Sequence, residues 1–169
     1  MAIAAGVARA LGFPAGLEGA FFGFEAEFRA TLDCMPMSLR LKLDRCQLKL
    51  ALEQWRALPR PVRETLLEAP ADTPRRIARM AQLLRRRGER LGWPALPHVS
   101  VDDFINAPRD AIPESVATCC ARGGQPPLSV WRWAQLTPLQ RYALVKLSLH
   151  RSIRNWQAAL SEFGLAATR

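Results

Sequence analysis

The sequence predicts an all-α protein: a compact helical domain of about six or seven helices, built as a pseudo-symmetric pair of helix–turn–helix modules. Three observations predict this. Helix start signals recur, at Pro36, Thr73-Pro74, Pro113 and Thr137-Pro-Leu-Gln140. The apolar residues that follow them return at three- and four-residue spacing. The chain also repeats itself: shifted by 78 residues, Gln47, Leu50, Trp55, Leu58, Arg63 and Leu66 fall on Gln125, Leu128, Trp133, Leu136, Arg141 and Leu144. Two copies are too few for a solenoid. They predict paired modules over residues 36–69 and 113–148, with Trp55 and Trp133 as structural core residues that seal a shared core.

The elements follow in order. Residues 1–21 read as a loose Ala/Gly-rich extension. No base precedes their apolar stretch, Arg9 interrupts it and Glu18 follows, unlike a signal peptide. A single helical domain is expected over 22–165, with a tail at 166–169. Phe24, Phe28 and Leu32 repeat every four residues, with Glu25, Glu27 and Arg29 between them, which predicts a short amphipathic helix. Pro36 opens a second helix, to about Cys46. Leu39, Leu43 and Cys46 share one face, and Leu41 lies off it, so burial on two sides is expected. Leu39–Leu43 and Leu48–Leu52 also alternate as strands would. The intervening Asp44-Arg-Cys-Gln47 is a poor hairpin turn, so a helix followed by an extended Leu-Lys-Leu link is preferred.

Trp55 and Leu58 sit on a short helix that breaks at Pro59 and Pro61, and another helix runs to about Ala69. Thr73 caps a long helix with Pro74 in its first turn, ending near Gly92. A Pro-rich connection follows over 92–112. Pro113 opens the next helix, and Gly123-Gly124 with Pro126-Pro127 break it. Ser129 caps a Trp turn, and Thr137-Pro-Leu-Gln140 is a capping box. A last helix, from about Asn155 to Phe163, is stopped by Gly164.

Composition bounds the function. There are 169 residues, 24 Lys+Arg against 15 Asp+Glu, and a net charge of +9. Only Lys42, Lys49 and Lys146 are lysine, a ratio that GC-rich coding produces, so the overall basicity carries little weight. Location carries more: residues 75–90 hold seven Arg and one Glu. Stepping 100° per residue, Arg75, Arg76, Arg79, Arg86, Arg87 and Arg90 fall on one arc, beside a stripe of Ile77, Met80, Leu84 and Leu91. That arc is the candidate partner-binding face, suited to an acidic protein surface. It carries no aromatic or base-reading residues, which argues against nucleic acid. No apolar run is long enough to span a bilayer, so no membrane partner is expected.

Catalytic signals are lacking. No P-loop, G-x-G-x-x-G, H-E-x-x-H or G-x-S-x-G occurs. His98 reads as a loop residue, His150 as a cation at a helix C-terminus, and Asp102-Asp103 as a cap. Cys34 and Cys46 bracket one helix, about 15–18 Å apart at 1.5 Å per residue, too far for a shared disulfide or ion. Cys119-Cys120 are vicinal without C-x-x-C spacing. All four read as free thiols, with no metal and no cofactor. Arg63 and Arg141, equivalent in the repeat, are expected to bond carboxylates or backbone carbonyls, with Asp44 and Glu162 as candidate partners.

The run Phe24-Glu-Ala-Glu-Phe28, Leu32-Asp-Cys-Met-Pro-Met37, Arg40-Leu-Lys-Leu-Asp44, Cys46, Leu48-Lys-Leu50 and Gln54-Trp55 resembles the opening of the nitrate reductase-associated protein family. The second half is similar too, at Ile112-Pro113, Leu128-Ser-Val130, Trp133, Leu136–Ser148, and Asn155 through Leu160 to Glu162-Phe-Gly-Leu165. The similarity singles out Cys34, Pro36, Arg40, Lys42, Asp44, Cys46, Arg141 and Lys146 as family-motif residues. In this sequence Gln47 follows the second cysteine where the family pattern has Gly. The resemblance implies a small bacterial cytoplasmic protein that serves an assimilatory nitrate reductase as a non-catalytic accessory or maturation factor. A cofactor or metal handler using the cysteines is the alternative, and a helical nucleic-acid binder a further one.

Overall fold

The computed structural model describes residues 21–98, 108–149 and 153–166. The expectations for residues 1–20, for Asp102-Asp103, for His150 and for 167–169 lie outside them. Among the described residues there are nine α-helices, preceded by a 3-10 turn at Gly23–Glu25, and no strand beyond one isolated bridge. The all-α expectation holds, and the helices beyond six or seven are short. The chain divides into two compact units, residues 1–101 and 102–169.

The first unit holds α1 (Ala26–Arg29), α2 (Met37–Arg45), α3 (Leu52–Ala57), α4 (Arg60–Glu68) and α5 (Pro74–Arg90). Helix α2 is its centre, with α4 and α5 both packed on it. Met37, Leu39, Leu41 and Leu43 are all buried, so α2 is covered on more than one face, as the off-stripe Leu41 implies. Pro36 stands just before the first helical residue, extended at ψ 158°, where its missing N–H costs nothing. The core gathers Leu39 and Leu43 of α2, Trp55 of α3, Leu66 of α4 and Leu84 of α5. The Leu48–Leu50 link is extended: Leu48 bridges His98, and the Lys49 N–H donates to Pro97 O at 3.0 Å.

Between α1 and α2 the chain makes a tight loop. Leu32, fully buried, has φ +57°, a left-handed conformation that costs a leucine about 1–3 kcal/mol. Long side chains of α3 and α4 hold it there. Leu32 O accepts from Trp55 Nε1 at 2.6 Å and from the Arg63 guanidinium at 2.8 Å. Arg56 donates to Asp33 O and Arg60 to Ala30 O. Four side chains thus grip three carbonyls, those of Ala30, Leu32 and Asp33.

The second unit holds α6 (Glu114–Arg122), α7 (Val130–Gln135), α8 (Pro138–Ser148) and α9 (Ile153–Glu162). Helix α8 is its centre, with α6 and α9 packed on it. Every residue from Arg141 to Ser148 except Lys146 is buried. The start signals act as the sequence predicts. Thr137 Oγ1 accepts the Gln140 N–H at 3.2 Å while the Gln140 side chain takes the Thr137 N–H at 2.8 Å. Ser129 Oγ caps α7 through the Arg132 N–H.

Four helices end alike. In α5, α6 and α9 a glycine beyond the cap (Gly92, Gly124, Gly164) has φ between +65° and +69°. Its N–H and the next one fold back on the last carbonyls of the helix. In α2 the same bonds form, Gln47 N–H to Asp44 O and Leu48 N–H to Leu43 O, but the left-handed residue is Gln47, at φ +55°. The structural counterpart of Gln47 is therefore Gly124. The 78-residue shift pairs it instead with Gln125, because the second link is one residue longer. Gln47 is retained by a side-chain bond, Oε1 to His98 Nε2 at 2.8 Å, which also fixes His98 in its loop role. Replacing Gln47 by Gly or by Ala deletes that bond equally, yet only Ala keeps the strain. Gln47→Gly should therefore be more stable than Gln47→Ala by about 1 kcal/mol in denaturant titrations. Equal stabilities would place the helix end elsewhere.

Candidate functional site

Three cations of the family motif, Arg40, Lys42 and Arg141, bond the protein's own backbone. Arg40 Nε donates to Met35 O at 3.1 Å. Lys42 Nζ donates to Leu66 O at 3.4 Å and to Leu67 O, closing the C-terminal end of α4. Burial pulls the Lys42 ammonium below the ordinary lysine value, against the opposing charge of Glu68. Lys146 lies over the Tyr142 ring, 5.5 Å from its centroid. Asp44 sits half-buried in the last turn of α2, and Cys34 and Pro36 lie in the gripped loop.

Arg63 and Arg141 both donate to backbone carbonyls, and both bury an Nε with no partner among the described residues. The acceptors are Leu32 O and Leu136 O, not the Asp44 and Glu162 carboxylates. Each guanidinium reaches a carbonyl where the chain leaves its helical path, and such carbonyls lack an intrahelical donor. Trp55 and Trp133 match more closely. Both are fully buried, and each indole N–H is taken by a loop carbonyl, Leu32 O and Pro108 O at 2.6 and 2.7 Å.

The four cysteines are free thiols. Cys46 points at Ile77 O of α5, 3.5 Å away, and burial pushes its thiol up to about 11. Burial likewise raises Cys119 and Cys120. Cys34 alone is only half-buried. Thiolate is the species that binds metals and attacks reagents, so these environments disfavour both at the three buried positions. Among the described residues no three His, Cys, Asp or Glu side chains group to hold a metal ion. A thiol reagent at pH 8 should label half-buried Cys34 quickly and Cys46 far more slowly, because burial both shields the Cys46 thiol and holds it protonated, pushed up to about 11. The fast phase should vanish in Cys34→Ser. Raised thiols also set a sign: the unfolded chain ionises first above pH 9, so stability falls between about pH 9 and pH 11.

The arginine row of α5 lies as the helical wheel predicts, with two corrections. Leu91 caps the helix and is 42% exposed, so it is not part of the buried stripe, which consists of Met80, Ala81, Leu84 and Gly88 with Ile77 half-covered. The reason is local: the chain turns away at Gly92, and Trp93 covers Gly88 instead, 3.1 Å from where a Cβ would stand. Arg87 is half-buried, whereas Arg75, Arg76, Arg79, Arg86 and Arg90 are exposed. Arg76 is paired with Asp72, both carboxylate oxygens at 2.9 Å. Arg79, Arg86, Arg87 and Arg90 have no ion pair among the described residues.

The row is not a free convex surface. It forms one wall of a groove between α4 and α5, two adjoining hollows of about 420 and 540 Å³ that share Thr65, Arg79 and Leu83. Val62 and Leu66 of α4 and Met80 of α5 supply apolar lining. Leu83, 40% exposed, stands in the middle of the arginine arc. Sequence periodicity does not single it out, since a lone leucine on a polar face is ordinary. The groove needs α4 beside α5, which no local pattern encodes.

These features define a helical protein with three buried thiols and a groove whose Arg79, Arg86, Arg87 and Arg90 form no ion pair among the described residues. The chain belongs to the nitrate reductase-associated protein family: the family described as conserved nitrate reductase-associated protein matches residues 21–163. No curated protein and no solved structure matches it. Among the described residues no helix is long and apolar enough to cross a membrane.

Proposed function

We propose that the protein is a cytoplasmic, non-catalytic accessory or maturation factor of an assimilatory nitrate reductase and acts by docking on that enzyme. The observation that carries this reading is the row of Arg79, Arg86, Arg87 and Arg90, four cations with no ion pair among the described residues, in a chain whose family is associated with nitrate reductase. Leaving like charges one turn apart is unfavourable for the isolated helix, by a few tenths of a kcal/mol per pair. An anionic partner converts that cost into attraction and speeds encounter. The buried, protonated thiols favour docking over metal handling.

Deleting the gene should lower nitrate reductase activity in cells grown on nitrate, and the full chain should restore it. Purified protein should bind purified nitrate reductase, with affinity falling as salt rises from 50 to 300 mM, since screening shortens the reach of exposed charges. Undiminished activity in the deletion strain would overturn the reading.

A further inference from the structure

We propose that the α4–α5 groove is a docking site for an acidic, amphipathic helix of the partner protein, with Leu83 as its apolar anchor and Arg79, Arg86 and Arg90 as its charge clamp. The inference rests on the docking role argued above and adds the place, the occupant and its polarity.

Three observations carry it. The first is the position of Leu83. Arg79 lies one turn before it, Arg86 and Arg87 one turn after, so an exposed leucine is ringed by cations on its own helix face. A lone leucine on a polar face is ordinary, but this one borders the groove between α4 and α5. An apolar centre with a charged rim is the layout of a binding hot spot. The second is the groove itself. Helices α4 and α5 both rest on α2, and between them Val62, Leu66 and Met80 line a trough beside Leu83. Leu66 and Met80 are core residues that form the trough's floor, so apolar residues spaced one turn apart on an incoming helix would meet Val62 and Leu83.

The third observation is charge and its distribution. From Arg76 to Arg90 the row spans about 21 Å at 1.5 Å per residue, too long to converge on one small anion. Its two ends differ. At the Arg76 end Asp72 already pairs with the arginine, and Glu68 lines the hollow. Arg79, Arg86, Arg87 and Arg90 line the other hollow, and among the described residues no carboxylate lines it with them. The occupant therefore places its Asp and Glu residues toward the Arg86–Arg90 end and its less charged end toward Arg76. Duplex nucleic acid offers phosphates but no apolar ridge for Leu83.

The test uses the full-length protein and a fluorescent 18-residue synthetic helix, with Leu at one-turn spacing and Glu flanking that stripe at one end. It should bind, and fourfold more salt should weaken it severalfold. Leu83→Glu, and separately the triple variant Arg79→Glu/Arg86→Glu/Arg90→Glu, should each weaken binding at least tenfold while circular dichroism and thermal unfolding stay unchanged. All four side chains are exposed, so the fold has no stake in them. Arg86→Gln/Arg90→Gln, a milder pair, should fall between. The same helix with Gln for Glu should bind at least tenfold less, and the acidic helix should compete with purified nitrate reductase. Equal binding by the variants, equal binding of the Gln helix, tighter binding of duplex DNA, or displacement by micromolar inorganic phosphate would each overturn the groove assignment. Reductase that binds wild type and both variants equally overturns the groove but leaves docking standing. A helix that binds while reductase does not leaves the groove standing and overturns the choice of partner.

Discussion

Trp55→Ala should destabilise the first unit by about 3–5 kcal/mol, and Trp133→Ala the second unit by a similar amount, the range for emptying a large aromatic site. Both indoles are fully buried, and the collapse of neighbours into the space is limited by what surrounds them. Around Trp55 stand the core leucines and the Arg63 guanidinium, 5.8 Å from the ring centroid. Each indole also holds a loop carbonyl, so the loss includes a hydrogen bond to a group that no longer meets water. Trp→Phe at the two positions separates these parts. Trp55→Phe leaves Leu32 O with its Arg63 donor, whereas Trp133→Phe takes away the indole N–H that Pro108 O accepts. The penalty for Phe should therefore be smaller at 55 than at 133, about 1 kcal/mol against 2. Trp156 is the internal control. Its Nε1 is buried with no partner among the described residues, so Trp156→Phe should cost less than either. The measurement is urea unfolding followed by circular dichroism and by Trp fluorescence. Losses below about 1 kcal/mol for both Ala variants would mean these are surface groups.

What the sequence revealed of the fold is what is written locally. Thr73, Ser129 and Thr137 cap where a short acceptor side chain precedes a helix, and Gly92, Gly124 and Gly164 end helices where only glycine is free of strain. The Trp pair stands out because large aromatics at matched positions rarely lie outside a core. Three features escape such reading because their partners are distant in sequence. Arg56 and Arg60 carry no local signal, and Arg63, expected to bond a carboxylate or a carbonyl, gives no hint of which; all three reach carbonyls 23 to 31 residues upstream. Leu83 is ordinary until α4 is placed beside it. Gln47 looks like a departure from the family's glycine, yet it keeps the glycine's conformation and secures it through His98, 51 residues away. For the candidate site, the arc of arginines was legible from 100° periodicity. The groove that gives the arc its shape was not, since it belongs to the packing of two helices on a third.

Glu25 is the sharpest of these non-local devices, and Glu25→Gln should cost about 2–4 kcal/mol. In the sequence it reads as a polar spacer between Phe24 and Phe28. In the structure it is 3% exposed, and its two carboxylate oxygens divide two backbone donors. Oε1 accepts the Met37 N–H at 2.8 Å and Oε2 the Phe22 N–H at 3.0 Å. Met37 is the first residue of α2, and Pro36 before it has no side chain that can cap. A carboxylate from 12 residues upstream therefore does the capping, with its charge at the positive end of the helix dipole. The same bond closes the loop that holds left-handed Leu32, so Glu25 secures one end of the loop while Trp55 and Arg63 secure its middle. Gln matches Glu in size but has one acceptor oxygen, so its NH2 must face one of the two N–H donors. One charge-assisted bond is lost and the other becomes neutral, at about 1.5–3 kcal/mol for each charged bond. Asp is one methylene short of spanning both donors and should fare no better. Exposed Glu53, changed to Gln, should stay within about 0.5 kcal/mol of wild type. Loosening the loop should also show chemically, as faster reaction of Cys34 with a thiol reagent in Glu25→Gln and an unchanged rate in Glu53→Gln. Wild-type stability and an unchanged Cys34 rate in Glu25→Gln would mean that α2 starts without the carboxylate.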